Sequence, residues 1–474
     1  MNNKDNKQLL WYNVALLGFV GVWGFGNVVN NYANQGLEVI FSWIFMMILY
    51  FLPYILMVGE LGSAFSNASS GVSSWIKETS NAKLAYLAAW TYWVVHIPYI
   101  AQKPQSGLVA LNWGVTMNPS IIDNMNVLFL QFVIWLIFIG FVYLASKGLK
   151  SLKILGSIAG SIIFVMGLLY VILGISAVFF LDAPVATQNI TLDTFVPTIN
   201  FQYLTTISML VFAVGGIEKL SPYVKETEND GKNFPKAMIA VAVMVIVSAI
   251  LGSLTMGAMF DSNNIPEDLK LNGQYYAFQM LGQWWGLGDF FARIYAFANA
   301  AGQFTALFIA IDAPLKILVL DSDNRFVPEY LTKTNEHGAP INGYKMMAVL
   351  VSILIFIPAL GFGNTNAIYN WLLDLNSIVM PMRYLWVFVA YFLLKKHFTN
   401  YNPEYVFMRN ATVGKILAVW CFAFTLFACV LGMVPATAAG ESGYYFELAV
   451  NILAPVIFIG LGFVLPIFAK RANK

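Results

Sequence analysis

Apolar residues run along this chain in long unbroken stretches, not in the stripe of every third or fourth residue that marks a soluble helix. Twelve stretches reach the roughly 20 residues a helix needs to cross a bilayer. They are 10–34, 38–64, 84–114, 127–146, 153–180, 203–224, 235–260, 284–318, 343–361, 366–394, 411–434 and 444–469. The pattern predicts an all-α membrane protein with twelve transmembrane helices. Segments three and eight are over-long for a straight crossing, which implies tilt or extended ends.

Two stretches are interrupted where a lipid-facing helix should continue. Gly24-Phe25-Gly26-Asn27 breaks the first, and Gly215-Gly216-Ile217-Glu218 breaks the sixth. A glycine costs about 1 kcal/mol against alanine inside a helix. An unpaired backbone amide in hydrocarbon costs several kcal/mol. Segments 1–5 and 6–10 form two sets of five with opposite topology, and a glycine break opens each set. That is the inverted-repeat pattern of a secondary transporter, whose binding site lies at broken helices. The alternative is close helix packing, for which membrane helices also use glycine. The reading is one membrane domain over 1–474, with repeats at 10–180 and 203–394. Two further helices at 411–469 serve packing or oligomerisation, so monomer and homodimer both remain open.

Composition narrows the class. Hydrophobic residues make up 59% of the 474 and charged residues 11%, where soluble proteins carry about 25%. Mean hydropathy is +0.69. The main solvent is therefore the lipid bilayer. A net charge of +2 gives no reason to expect nucleic acid. The bases fix an orientation. With the N-terminus inside, 22 of the 26 Lys and Arg residues fall at the inner side, from Lys4 and Lys7 through Lys77, Lys147, Lys150, Lys219, Lys225, Lys316, Arg325 and Lys395 to Lys474. Only Lys270 falls outside. The positive-inside rule then places both termini in the cytoplasm, with the cell membrane as the location. The first stretch lacks a small-residue cleavage site and reads as a signal anchor. Three His and two Cys, with no HExxH and no nucleotide-binding loop, point away from an enzyme and call for no cofactor or metal. A channel or sensor without coupled transport is the alternative class, though it would more often show a repeated pore loop or an added soluble domain.

Several motifs together resemble the amino acid–polyamine–organocation superfamily, closest to its glutamate/γ-aminobutyrate antiporter-like branch. They are Gly24-Phe25-Gly26, Val58-Gly59-Glu60-Leu61-Gly62-Ser63-Ala64, Gly71-Val72-Ser73-Ser74-Trp75 and Phe212-Ala213-Val214-Gly215-Gly216-Ile217-Glu218. Lys225-Glu226-Thr227-Glu228-Asn229 and Asn233-Phe234-Pro235-Lys236-Ala237 complete the set. The resemblance implies a LeuT-type fold and an antiporter or proton-coupled symporter for amino acids or their amines. It leaves the substrate open. Phe25 departs from the small residue usual between the two glycines.

The breaks suggest how such a substrate binds. The amides of the helix that restarts around Gly24, Phe25, Gly26 and Asn27 form the positive end of a dipole and suit a carboxylate. The carbonyls of Phe212, Ala213 and Val214, next to Gly215 and Gly216, suit an ammonium group. Asn27, Asn30, Asn31 and Asn34 share one helix face, as a vestibule lining or as a helix end at the headgroups. Glu218 follows the second break; the resemblance implies a gating or proton-coupling acid there, and its other role is a cap for the restarted helix. Glu60 reads as the partner of an inner base. Lys103, Arg293 and Arg383 lie deep within segments, where each costs about 2.5–3.5 kcal/mol. Their candidate partners are Glu218, Asp289, Asp312 and Asp374. His96, Tyr99 and Lys103 share a face that borders the translocation path. In segment ten, Tyr369 and Trp371 form the substrate lid that the resemblance implies, with Asp374 as a candidate gate, although a membrane-interface aromatic belt explains Tyr369 and Trp371 equally. The excess of buried bases fits an acidic substrate, and equally the neutralisation of buried acids.

Overall fold

Helices carry the regular structure, and no β-strand occurs among the described residues. The computed structural model describes residues 9–65, 71–148, 151–224, 227–320, 323–357, 364–397, 400–401, 403–435, 439–441 and 443–472. Lys4, Lys7, Lys150, Lys225, Glu226 and Lys474 lie outside these residues.

Nine helical runs among the described residues are long and apolar enough to cross a membrane. Of the apolar stretches, 10–34 enters the nine only through its second half, at the head of the run Phe25–Ala64, and 84–114 and 343–361 are not among them, each for a local reason. The first is split into helices Trp11–Val22 and Phe25–Gln35. The second bends at Val95 between Ala82–Val94 and His96–Thr116, and the latter carries Gln102, Lys103 and Gln105. The third is helical over Ile341–Phe356. Between the seventh and eighth apolar stretches, residues 261–283 contain most of a further helix, Leu269–Trp284, one face of which is buried against its neighbours.

Burial sorts the runs into a centre and a rim. In the most apolar window, 72% of Thr365–Lys396 and 67% of Phe201–Leu220 are buried, against 22% of Val127–Ser146 and of Ser157–Phe180. Rim helices turn large apolar side chains such as Leu128, Phe179 and Val456 outward, as lipid contact requires. The central runs are the irregular ones. Thr365–Val379 passes through a tight turn at Met380–Arg383 before Tyr384–Lys396. A π-bulge at Met47–Phe51 precedes Leu52–Ala64. Asparagines start several helices by capping free amides: Asn81 accepts from Leu84, Asn126 from Phe129 and Asn364 from Ala367. Cys421 and Cys429 are free and buried.

Glu60 and Lys395 form a buried ion pair at 2.5 Å that ties Leu52–Ala64 to Tyr384–Lys396. Tyr391 also donates to Glu60 at 2.7 Å, and so does the Phe407 amide at 3.1 Å. Lys395 reaches the Met408 carbonyl at 2.5 Å, so the chain beyond the helix is pinned to the same carboxylate–ammonium pair. In the charged 319–342 connector, hydrogen bonds from Arg325 hold the Asp323 carboxyl down at about 2, below the ordinary carboxylate range.

Candidate substrate site

The first break falls at Trp23 and Gly24. The Trp23 amide closes the preceding helix on Phe19 O at 2.7 Å, and Gly24 is extended at φ −143°. The helix resumes at Phe25, so its leading amides, on Phe25 and Gly26, have no carbonyl in their own helix. A side chain at Gly24 would meet nothing within 4 Å, so this backbone borders open space. Gly26 instead faces Gln274, whose Nε2 would lie 3.3 Å from an added Cβ. The Phe25 ring is buried against Tyr170 and Phe278, at centroid distances of 4.5 and 5.1 Å.

The second break falls at Gly215 and Gly216. Helix Ile207–Val214 stops there, and Gly216 sits at φ +103°, a conformation that side-chain-bearing residues rarely adopt. A tight helical turn then begins at Ile217. The Gly215 amide bonds Phe212 O at 3.3 Å. A Cβ at Gly215 would overlap the Tyr384 ring. This glycine therefore also makes room for a neighbouring helix.

One side chain joins the two breaks. Asn27 Nδ2 donates to the Ala213 carbonyl at 3.2 Å and approaches the Val22 carbonyl at 3.5 Å. It thus bonds the last turns of both interrupted helices. Asn31 Nδ2 follows one turn later, on Asn27 O at 2.9 Å.

Beside the breaks lies a buried charged cluster. Arg383 Nε stands 3.2 Å from Glu218 Oε1, both essentially closed to solvent. Tyr54 donates its hydroxyl to Glu218 Oε2 at 2.5 Å. Arg383 also donates to His96 Nε2 at 3.0 Å and to Tyr384 OH at 3.3 Å, with its guanidinium over the Tyr92 ring at 5.4 Å. His96 Nδ1 lies 2.6 Å from the Tyr92 carbonyl, which can only accept. Nδ1 therefore carries the ring proton, and Nε2 offers its lone pair to Arg383. Arg383 is fixed on four sides.

Of the acids named as partners for the deep bases, Glu218 takes Arg383. The expectation fails for the other two bases. Lys103 donates to the neutral Gln303 at 2.7 Å and lies 4.3 Å over the Tyr99 ring, so Tyr99 and Lys103 are in contact as their spacing predicts. Arg293 donates to Gly114 O and Val115 O at 3.0 and 3.1 Å, carbonyls near the end of His96–Thr116. Helix-terminal carbonyls supply enough negative potential to hold a cation without a carboxylate. Asp312 pairs with Lys316 at 2.8 Å, and Asp289 accepts from Gln279 at 3.1 Å.

Asp374 belongs to a separate group. It pairs with Lys270 at 3.1 Å, while Trp371 Nε1 donates to Asn451 at 3.2 Å. Asn34, Lys270, Asp374 and Asn451 line one small polar pocket. Of the candidate lid and gate residues, Asp374 meets Lys270 and Trp371 meets Asn451 of the same pocket, whereas Tyr369 lines a second pocket with Ser106, Gln274 and Gln303. Tyr54 and Tyr384 are participants that sequence reading passed over. Their one signal is a phenol within an apolar run, since a buried tyrosine hydroxyl needs a partner.

A match to the amino acid permease family covers residues 9–468. The chain is 48% identical to the aspartate/glutamate permease AcaP of Lactococcus lactis subsp. cremoris (strain MG1363), over 99% of this chain and 97% of that protein. It is 24% identical to the inner membrane transporter YjeM of Escherichia coli (strain K12), over 92% and 91%. Identity to the glutamate/gamma-aminobutyrate antiporter of Lactococcus lactis subsp. lactis (strain IL1403) is 23%, over 91% and 85%. Proteins named as permeases and transporters, not enzymes, thus resemble this chain along nearly all its length. Its apolar helical runs make it a multi-pass membrane protein. Broken central helices, lipid-facing rim and similarity agree, and the chain belongs to the amino acid permease family of the amino acid–polyamine–organocation superfamily.

Proposed function

We propose that this protein is a secondary active transporter of acidic amino acids. Twelve transmembrane helices form a LeuT-type five-plus-five inverted repeat, with helices one and six broken. The observation that carries the reading is the Asn27–Ala213 bond, which brings two breaks 186 residues apart to one place. There the Phe25 and Gly26 amides hold the substrate carboxylate, and carbonyls at Phe212, Ala213 and Val214 hold its ammonium group. Arg383, Lys103 and Lys219 give the surroundings a positive excess over Glu218 that suits a second carboxylate. The 48%-identical relative, named an aspartate/glutamate permease, supports the same substrate class. Glu218 couples the site to Arg383 and His96, and Asp374 with Trp371 gates the Lys270 side.

Counterflow in proteoliposomes tests the function. Labelled glutamate or aspartate outside is expected to accumulate faster when the same unlabelled amino acid is inside, because a carrier returns loaded. Equal uptake with and without internal substrate would favour a channel. An imposed pH gradient then separates exchange from proton symport.

We also propose that both termini face the cytoplasm. Asp193→Cys, in an exposed connector, is expected to react with an impermeant maleimide added to intact cells. Glu336→Cys, 83% exposed in its parent side chain, is expected to react only after permeabilisation. The opposite pattern would invert the topology.

A further inference from the structure

We propose that Lys219 reads the second carboxylate of an acidic amino acid and sets the preference for aspartate and glutamate over asparagine and glutamine. This rests on the acidic amino-acid reading above and assigns its selectivity to one side chain.

The second break folds Lys219 back over itself. Its amide donates to Gly216 O at 3.1 Å. Its ammonium lies 3.6 Å from the point where a Gly216 side chain would begin. Arg383 Nη2 lies 3.3 Å from that same point. Two cations therefore converge on a bare patch of backbone, beside the carbonyls that end helix Ile207–Val214. The absence of a Gly216 side chain is what lets both head groups come this close to the backbone.

The two cations are not equivalent. Arg383 is committed to Glu218, His96 and Tyr384, and it is 2% exposed. Lys219 is exposed, although the helices around it are close enough for Arg383, Glu218 and Lys103 all to act on its charge. Among the described residues, no acceptor lies within hydrogen-bond or ion-pair distance of its ammonium. Lys103 is held by Gln303 and Tyr99. Arg383 and Lys219 thus both act on the Glu218 carboxylate, Lys103 is near enough to act on Lys219, and of the three cations Lys219 alone has no bonded partner among the described residues.

The chemistry follows from the charge count. In surroundings of low dielectric, excess positive charge is relieved by an anion. With the α-carboxylate on the Phe25 and Gly26 amides and the α-ammonium on the Ala213 side, a distal carboxylate is the group left to meet Lys219. A compact ammonium on a flexible stem can follow carboxylates on one or two methylenes. A carboxamide offers the same shape without the charge, and a charge-assisted hydrogen bond is about twice as strong as a neutral one.

The test uses the full-length protein in proteoliposomes, as wild type, Lys219→Met and Lys219→Arg. The measurement is the concentration of unlabelled aspartate, glutamate, asparagine or glutamine that halves counterflow of the labelled amino acid. Thermal stabilisation of the purified protein by glutamate and by glutamine gives a second readout that needs no turnover. For Lys219→Met, the half-effective concentration of the acidic pair should rise by about 30-fold, and that of the amides should stay within about threefold. Lys219→Arg should keep the wild-type order. An unchanged acid-to-amide ratio in Lys219→Met, by both readouts, would overturn the assignment while leaving the transporter reading intact. A wild type that exchanges amides as well as acids would also overturn it. A wild type with no counterflow of any amino acid would instead defeat the transporter reading. If Lys219→Met does not purify as folded protein, Lys219→Gln carries the same comparison.

Discussion

Glu218→Gln is expected to lower exchange by about 100-fold and to destabilise the purified protein by about 3–5 kcal/mol. The reason lies in what it leaves behind. Arg383 is buried and bonded to neutral groups on its other sides, so Glu218 is its counter-charge. The amide keeps the shape and a hydrogen-bonding oxygen for Tyr54, but the guanidinium remains in low dielectric without an anion. Removing one member of a buried pair costs far more than the pair contributes. Two companions divide structure from function. Tyr54→Phe removes a single hydrogen bond and should cost about 1 kcal/mol. Glu218→Gln combined with Arg383→Met removes both charges and should recover most of the stability, while exchange stays low. Near wild-type exchange in Glu218→Gln would reduce Glu218 to a cap on the turn at Ile217. Recovery of exchange in the double variant would make the cluster purely structural.

Gly215→Ala is expected to lose most folded protein, whereas Gly24→Ala should fold and lose substrate binding. The two glycines look alike in sequence, and the structure separates them. A Cβ at Gly215 would occupy the space of the Tyr384 ring. That ring cannot swing away freely, because it lies 5.7 Å from Tyr54 and bonds Arg383 at 3.3 Å. Overpacking of this kind costs about 1–3 kcal/mol, and more where the neighbour is fixed. At Gly24 the added methyl meets no protein atom within 4 Å and enters the space assigned to substrate. Size-exclusion yield and thermal stabilisation by glutamate read the two effects separately. Full substrate stabilisation in Gly24→Ala would move the carboxylate site away from the first break.

Local features of this architecture were legible in the chain because their causes are local. Glycine in an apolar run cannot hide its cost, so both breaks appear where the residues place them. Burying a base demands a partner, so Glu218 could be named among the candidate acids, but which base it takes, Arg383, only the packing decides. The same rule misled for Lys103 and Arg293, because an amide oxygen or a helix-end carbonyl serves as well as an acid. It also passed over Lys219, which was grouped with the inner bases. Nothing in the spacing around Lys219 shows that the turn after Gly216 carries its head group back to the break. The bridge from Asn27 to Ala213 joins residues with no relation in sequence, and only the packed helices bring them together. Helix Leu269–Trp284 was missed because its buried face is supplied by helices distant along the chain.

An ammonium group arriving at the Ala213 carbonyl finds the Asn27 amide already there. On the proposed reading, the substrate exchanges one hydrogen bond for another, and this contact adds only about 1 kcal/mol or less. Such thrift favours short residence: a carrier that held its cargo tightly would release it slowly. Displacing Asn27 also cuts the tie between the helix that restarts at Phe25 and the one that ends at Val214. While cargo is aboard, the passenger itself takes over as the clasp between them, and on departure Asn27 closes it again.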